Sequence, residues 1–191
     1  MKSLAQSSKT AVPDAELLSR IHAGDLESLG TLFDRYERDV RRFLARLGVQ
    51  SADLDDLVQL TFIEVTSAAH GFDGRSSARG WLLGVAATIN RRHRRTFARM
   101  VARLNALAGA FHAPTPETPA EAVEGLEAEA RVARALDALS DKKREAFVLV
   151  TLEGASGEEA AAALGVPLNT VWTRLHHARE ELRAQLLEES S

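Results

Sequence analysis

The chain has 191 residues, 45% of them hydrophobic and 27% charged, with a net charge of −3. That is apolar content for one ordinary domain or two small ones, without the excess of positive charge that marks a wholesale polyanion binder. Cysteine is absent, which excludes disulfides, thiolate metal sites and cysteine nucleophiles and fits a reducing cytoplasm.

No apolar run approaches the ~20 residues of a membrane-spanning helix. Met1 to Ala5 opens no stretch of signal-peptide length. A cytoplasmic protein without membrane insertion is therefore expected. Apolar residues recur at spacings of three and four and never alternate over strand length, so the expected fold class is all-α.

In chain order, the first long stripe is Leu29, Leu32, Phe33, Tyr36, Val40, Phe43, Leu44 and Leu47. The second is Leu54, Leu57, Val58, Phe62 and Val65, and the third Leu82, Val85, Ala86, Ile89, Phe97 and Met100. Breakers separate them at Gly24-Asp25, Gly48 to Ser51 and Gly71 to Gly74. These stripes predict an N-terminal bundle of about four helices. Asp53, with Asp56 three residues on, stands where an N-cap is expected.

Two charge clusters lie on these helices. Asp53, Asp55, Asp56 and Glu64 make one helix acidic. Arg91, Arg92, Arg94, Arg95, Arg99 and Arg103 make the next basic, with no acid from Trp81 to Arg103. Either cluster alone reads equally as a solvated face, but six arginines without a counter-charge on their own helix repel one another unless a polyanion is present. Between the clusters, His70 to Ser77 is a loop with an aromatic, glycines and small polar groups, a composition able to hold an unstacked base. Trp81 reads more readily as core than as a base-stacking platform.

Pro114, Pro116 and Pro119 then fall together, and Ala106 to Ala130 carries five glutamates and no Lys or Arg. This is the composition of a flexible acidic, Pro-rich linker. The expected organisation is two small helical domains, 11–105 and 129–187, joined by a linker over 106–128.

The second domain contains a helix-turn-helix pattern from Ser156 to Leu175. An alanine-rich helix allows close crossing, Gly165 supplies a left-handed residue after it, and Pro167 suits the first turn of the next helix. Val171, Leu175, Ala178 and Leu182 form the buried stripe of that second helix. Its other face carries Asn169, Trp172, Thr173, His176 and His177, flanked by Arg174 and Arg179. Such groups read base edges and grip phosphates. A helical hairpin with a polar outer face is the alternative. Adjacent His176 and His177 do not converge on a helix, so no metal is expected. No Gly-rich phosphate loop before a Lys, His-Glu-x-x-His or Gly-x-Ser-x-Gly is present, so neither an enzyme nor a cofactor is expected.

Taken together, three segments resemble a bacterial RNA polymerase sigma factor of the extracytoplasmic-function (ECF) group. They are Asp56 to Val65, Trp81 to Ala86 running into the arginine-rich helix, and Leu152-Glu153-Gly154 followed by the helix-turn-helix to Arg179. The resemblance implies a region-2-like N-terminal domain that docks on the clamp helices of the largest polymerase subunit through Asp53, Asp56, Leu57, Gln59 and Phe62. It implies that Phe72, Asp73, Gly74, Arg75, Ser76 and Ser77 capture a flipped base of the minus-ten element, with Arg91, Arg92, Arg94 and Arg95 holding the backbone. A region-4-like domain would read the minus-35 element through Asn169, Trp172, Thr173, Arg174, His176 and His177. It would also meet the flap of the second-largest subunit, and the linker would pass near the RNA exit path.

An anti-sigma partner is also implied. Trp172 stands where many members carry a basic or small polar residue, which favours apolar contact with a thymine methyl. His177 stands where an arginine is common in the family. The competing reading is a stand-alone helix-turn-helix regulator that binds duplex operator, which leaves the acidic helix and the base-capture loop without a role.

Overall fold

The computed structural model describes residues 12–108 and 124–188. All regular structure among them is helical. Four helices make the N-terminal bundle: α1 (Asp14–His22), α2 (Leu26–Arg46), α3 (Ser51–Ala68) and α4 (Ala78–Ala108). A 3-10 turn, Ala69–Gly71, links α3 to the loop before α4. The core between them is Phe43, Leu44, Leu57, Val58, Phe62, Val65, Leu82, Leu83 and Ala86. Each large side chain buried there contributes roughly 1.5–3 kcal/mol.

Caps set the helix ends. The Asp25 side chain caps α2, accepting from the N–H groups of Glu27 at 2.9 Å and Ser28 at 3.3 Å. The Ser28 hydroxyl, donating at 2.7 Å, and the Ser28 N–H hold the Asp25 carboxyl below its ordinary range. Gly48, at φ +82°, ends α2. Helix α3 begins two residues before the expected cap: Gln50 is its N-cap and Asp53 lies in its first turn. The left-handed Gly48 turns the chain early enough for Ser51 and Ala52 to be helical, and Asp53 still favours the helix start through its charge.

The C-terminal helices are α5 (Glu124–Ala138), α6 (Asp141–Phe147), α7 (Gly157–Leu164) and α8 (Leu168–Glu188), with a π-helical turn over Val148–Leu152. Of the expected linker, residues 109–123 lie outside the described residues, and helix reaches them from both sides. A capping box closes the start of α7: the Ser156 hydroxyl accepts from Glu159 N–H at 3.1 Å, and the Glu159 carboxylate accepts from Ser156 N–H at 3.0 Å. Gly165, at φ +64°, makes the turn into α8. Val171, Leu175 and Ala178 are buried as the pattern predicts, and Leu182 is half-buried.

Arg144, only 1% exposed, staples the corner between α5 and α6. Its guanidinium donates to the carbonyls of Leu136, Asp137 and Leu139 and, from the other domain, Leu47, at 2.7 to 3.1 Å. The two halves also meet where α7 crosses α4.

Candidate nucleic-acid and polymerase interface

On α8 the expected reading face is free. Asn169, Thr173, His176 and His177 are exposed, and Trp172 is 45% exposed, while Arg174 is half-buried. The Thr173 hydroxyl donates to the Asn169 carbonyl at 2.9 Å, leaving its lone pairs outward. The indole of Trp172 lies over Gly157, where a Cβ would come within 2.4 Å of the ring. Gly157 therefore sets how Trp172 is presented. His176 faces Glu180 at 3.4 Å. Among the described residues no three His, Cys, Asp or Glu side chains gather to hold a metal.

The loop before α4 is more constrained than its composition indicates. Phe72 is half-buried against the edge of Trp81, ring centroids 5.8 Å apart. The Asp73 carboxylate accepts from the Arg75 N–H at 3.0 Å and from its guanidinium. Both hold the carboxyl below its usual range. Gly74 takes φ +74°. Ser76 is buried, and Ser77 caps α4 by accepting the Gly80 N–H at 3.1 Å. Asp73, Gly74, Arg75 and Ser77 remain exposed.

Of the six clustered arginines on α4, three have partners on other helices. Arg91 donates to Glu145 at 2.6 Å, Arg92 to Glu64 at 3.0 Å, and Arg94 faces Asp141 at 3.2 Å. Counter-charge that is missing from the helix itself thus arrives through the fold. Arg95, Arg99 and Arg103 are exposed, beside exposed Phe97 and Met100.

On α3, Asp56 and Gln59 are exposed and Asp53 half-exposed. Leu57 and Phe62 are not on that face. Both are buried, Phe62 against Phe33 at a centroid distance of 4.8 Å. A helix repeats its face every three or four residues, so 53, 56, 60 and 63 lie together while 57, 58, 61, 62 and 65 face inward. The outward apolar residues are Leu60 and Ile63. Sequence reasoning also missed a groove of about 500 Å³ on the C-terminal domain, lined by Val132, Leu136, Phe147 and Leu182 and edged by Arg179 and Arg183.

Residues 32–103 match the family description "Sigma-70 region 2", and residues 129–182 match "Sigma-70, region 4". The ECF RNA polymerase sigma factor SigC of Mycobacterium tuberculosis is 35% identical over 162 residues, covering 84% of each chain. The chain belongs to the ECF sigma factors.

The RNA polymerase sigma factor NccH of Alcaligenes xylosoxydans is 33% identical over 180 residues, 91% of this chain and 94% of that one. Among solved structures, CnrH in complex with the cytosolic domain of CnrY aligns with a TM-score of 0.65 at 28% identity, covering 93% of this chain and 99% of that one. As a sigma factor the protein directs promoter-specific initiation by RNA polymerase, and it is not an enzyme. The helix-turn-helix of this sigma factor is α7–α8; the region-4 match covers α7 and α8 as far as residue 182. Among the described residues, no helix of the sigma factor is long and apolar enough to cross a membrane.

Proposed function

We propose that residues 11–105 dock on core polymerase and open the minus-ten element, that 129–187 read the minus-35 element, and that 106–128 set their separation. The observation that carries this reading is the presence of separate outward faces on one chain. The polar face of α8 suits base edges in a major groove. The row Arg95, Arg99 and Arg103 beside Phe97 suits a displaced single strand, where phosphates and base faces are both offered. Phe72 to Arg75 supply the pocket for one flipped base, at a cost of a few kcal/mol for unstacking.

The face of Asp53, Asp56, Gln59, Leu60 and Ile63 suits the polymerase clamp, with acids around an apolar patch. The apolar groove between α5 and α8 suits a helix of the flap. Trp172, held over Gly157, offers an apolar edge to a thymine methyl in the minus-35 element. The factor acts in the cytoplasm, under an anti-sigma partner. The sigma factor RpoE of Bartonella quintana, 25% identical over 82% of this chain, was solved with the anti-sigma factor NepR.

The test is a pull-down with bacterial core polymerase, comparing the wild type with an Asp53→Arg/Asp56→Arg double variant, followed by abortive transcription from a promoter library. The wild type should bind and initiate and the variant do neither. A wild type that ignores core yet shifts duplex DNA alone would overturn the reading in favour of an operator-binding regulator.

A further inference from the structure

Two histidines from distant parts of the chain meet where α1 and α3 end. His22 is the last residue of α1, and His70 stands in the 3-10 turn that follows α3. Their ring centroids lie 5.9 Å apart, with the planes tilted by 44°. Both side chains are exposed, but the backbone beneath each is fixed. Ile21 is 3% exposed and Ala69 is 5% exposed, so each imidazole stands one residue beyond an anchor in the core. Side chains carried on such rigid elements keep their spacing.

His70 is oriented as well as placed. Its Nδ1 lies 2.7 Å from the Ser67 carbonyl oxygen. A carbonyl only accepts, so Nδ1 carries the proton, and the neutral ring presents its lone pair at Nε2. Metal-bound imidazoles are commonly held in this way, one nitrogen donating to a carbonyl and the other on the ion. The promoter-binding roles proposed above make no use of this orientation.

The surroundings favour a cation. Helices α1 and α3 both end here, at His22 and Ala68, and a helix C-terminus carries partial negative charge. The nearest arginine along α1, Arg20, is paired with Glu16 one turn back. Asp25 is engaged in capping α2 and is not counted as a ligand. The spacing is also suitable. With metal–nitrogen bonds of about 2.0–2.1 Å and a tetrahedral angle, two imidazole centroids stand roughly 5 Å apart. Closing from 5.9 Å takes a small rotation of exposed side chains.

His176 and His177 have a similar centroid distance, 5.7 Å, but not the other features. They are consecutive on α8, so their side chains leave the helix about 100° apart. His176 faces Glu180 at 3.4 Å. This second pair serves as an internal control.

We propose that His22 and His70 form an open site for a divalent transition-metal ion of the imidazole-preferring class, such as Zn²⁺, Ni²⁺ or Cu²⁺, with water at the remaining positions. His70 binds through Nε2. The ion ties the end of α1 to the turn that leads into Phe72. The site stands independently of the promoter roles, so its failure leaves them untouched.

The untagged full chain is titrated with ZnCl₂ by calorimetry, and its imidazole nitrogens are followed by NMR after ¹⁵N labelling. A single ion should bind per chain. The Nε2 signal of His70 and a ring nitrogen of His22 should move, while those of His176 and His177 stay. His22→Ala and His70→Ala should each weaken binding at least about tenfold. The double variant His176→Ala/His177→Ala should bind as the wild type does. No binding of ZnCl₂ by the wild type, an affinity unchanged in either single variant, or shifts confined to His176 and His177 would each overturn the site. The nitrogen shifts are read on the wild type, so they decide the assignment even where a variant folds poorly.

Discussion

Replacing Arg144 by methionine tests how much of the C-terminal domain hangs on one buried cation. Burial holds its guanidinium below the ordinary arginine value, with Arg94 adding to the effect, yet arginine titrates so far above neutrality that it stays charged. Methionine keeps the apolar length and removes every donor. Four carbonyls, of Leu47, Leu136, Asp137 and Leu139, then lose a charged partner. An unsatisfied buried acceptor costs about 1–3 kcal/mol, and removing one member of a buried charged cluster costs about 3–5 kcal/mol in total, since the corner relaxes and the losses do not add. A domain of about sixty residues has only ~3–9 kcal/mol of stability. The variant should therefore be close to unfolded in its C-terminal half.

The two tryptophans make this readable, because Trp81 belongs to the N-terminal bundle and Trp172 to α8. Urea unfolding is followed by fluorescence in a Trp81→Phe background and separately in a Trp172→Phe background. Arg144→Met should lower the Trp172 midpoint by about 2 M or more, at a slope of ~1–3 kcal/mol per molar. The Trp81 midpoint should move much less, since that domain loses one cap at Leu47. A shift of the Trp172 midpoint below about 0.5 M would refute the reasoning, by showing that water satisfies the freed carbonyls. Arg144→Lys should recover only part of the loss, because an ammonium lacks the planar fork that spans several acceptors.

Tyr36 is the single tyrosine, so its ionisation is visible by absorbance without interference. Burial, and then the hydrogen bond its hydroxyl donates to Asp14 at 2.5 Å, raise its pKa to about 12. Its contribution to stability is fully present below the free phenol value of about 10 and is lost as pH rises through about 12. Asp14→Asn should bring the absorbance midpoint down, and an unchanged midpoint would rule out the Asp14 bond as a cause. Ser156→Ala opens the capping box of α7 and should cost ~1 kcal/mol, lowering the thermal midpoint of the C-terminal domain by about 4–8 °C, measured by calorimetry.

Local chemistry made much of the fold legible. Gly165, Pro167 and the spacing of Val171, Leu175 and Ala178 are each sufficient to place the turn of the helix-turn-helix, because turn conformation and helix period depend on neighbours in sequence. The inward side of α3 was not legible in the same way. It carries apolar residues all round, with Leu60 and Ile63 outside and Leu57 and Phe62 inside, and only packing on α2 and α4 decides between them. Arg144 was hidden for the opposite reason. Arginine is among the least buried residue types, and nothing in its neighbourhood in sequence announces four carbonyls waiting for it, one of them 97 residues away. The partners of the α4 arginines are likewise long-range, Glu145 standing 54 residues from Arg91.

Ser77 ends the loop that begins at Phe72, and its hydroxyl is also the cap on the first turn of α4. Loop and helix therefore share a single anchor. Lengthening or shortening the loop between Asp73 and Arg75 breaks the Asp73–Arg75 hydrogen bonds but leaves that anchor in place. A change at Ser77 is different in kind: it unties the loop and frays the start of the arginine helix in one step. On the roles proposed for them, holding a base and holding a backbone would then be inherited as a unit.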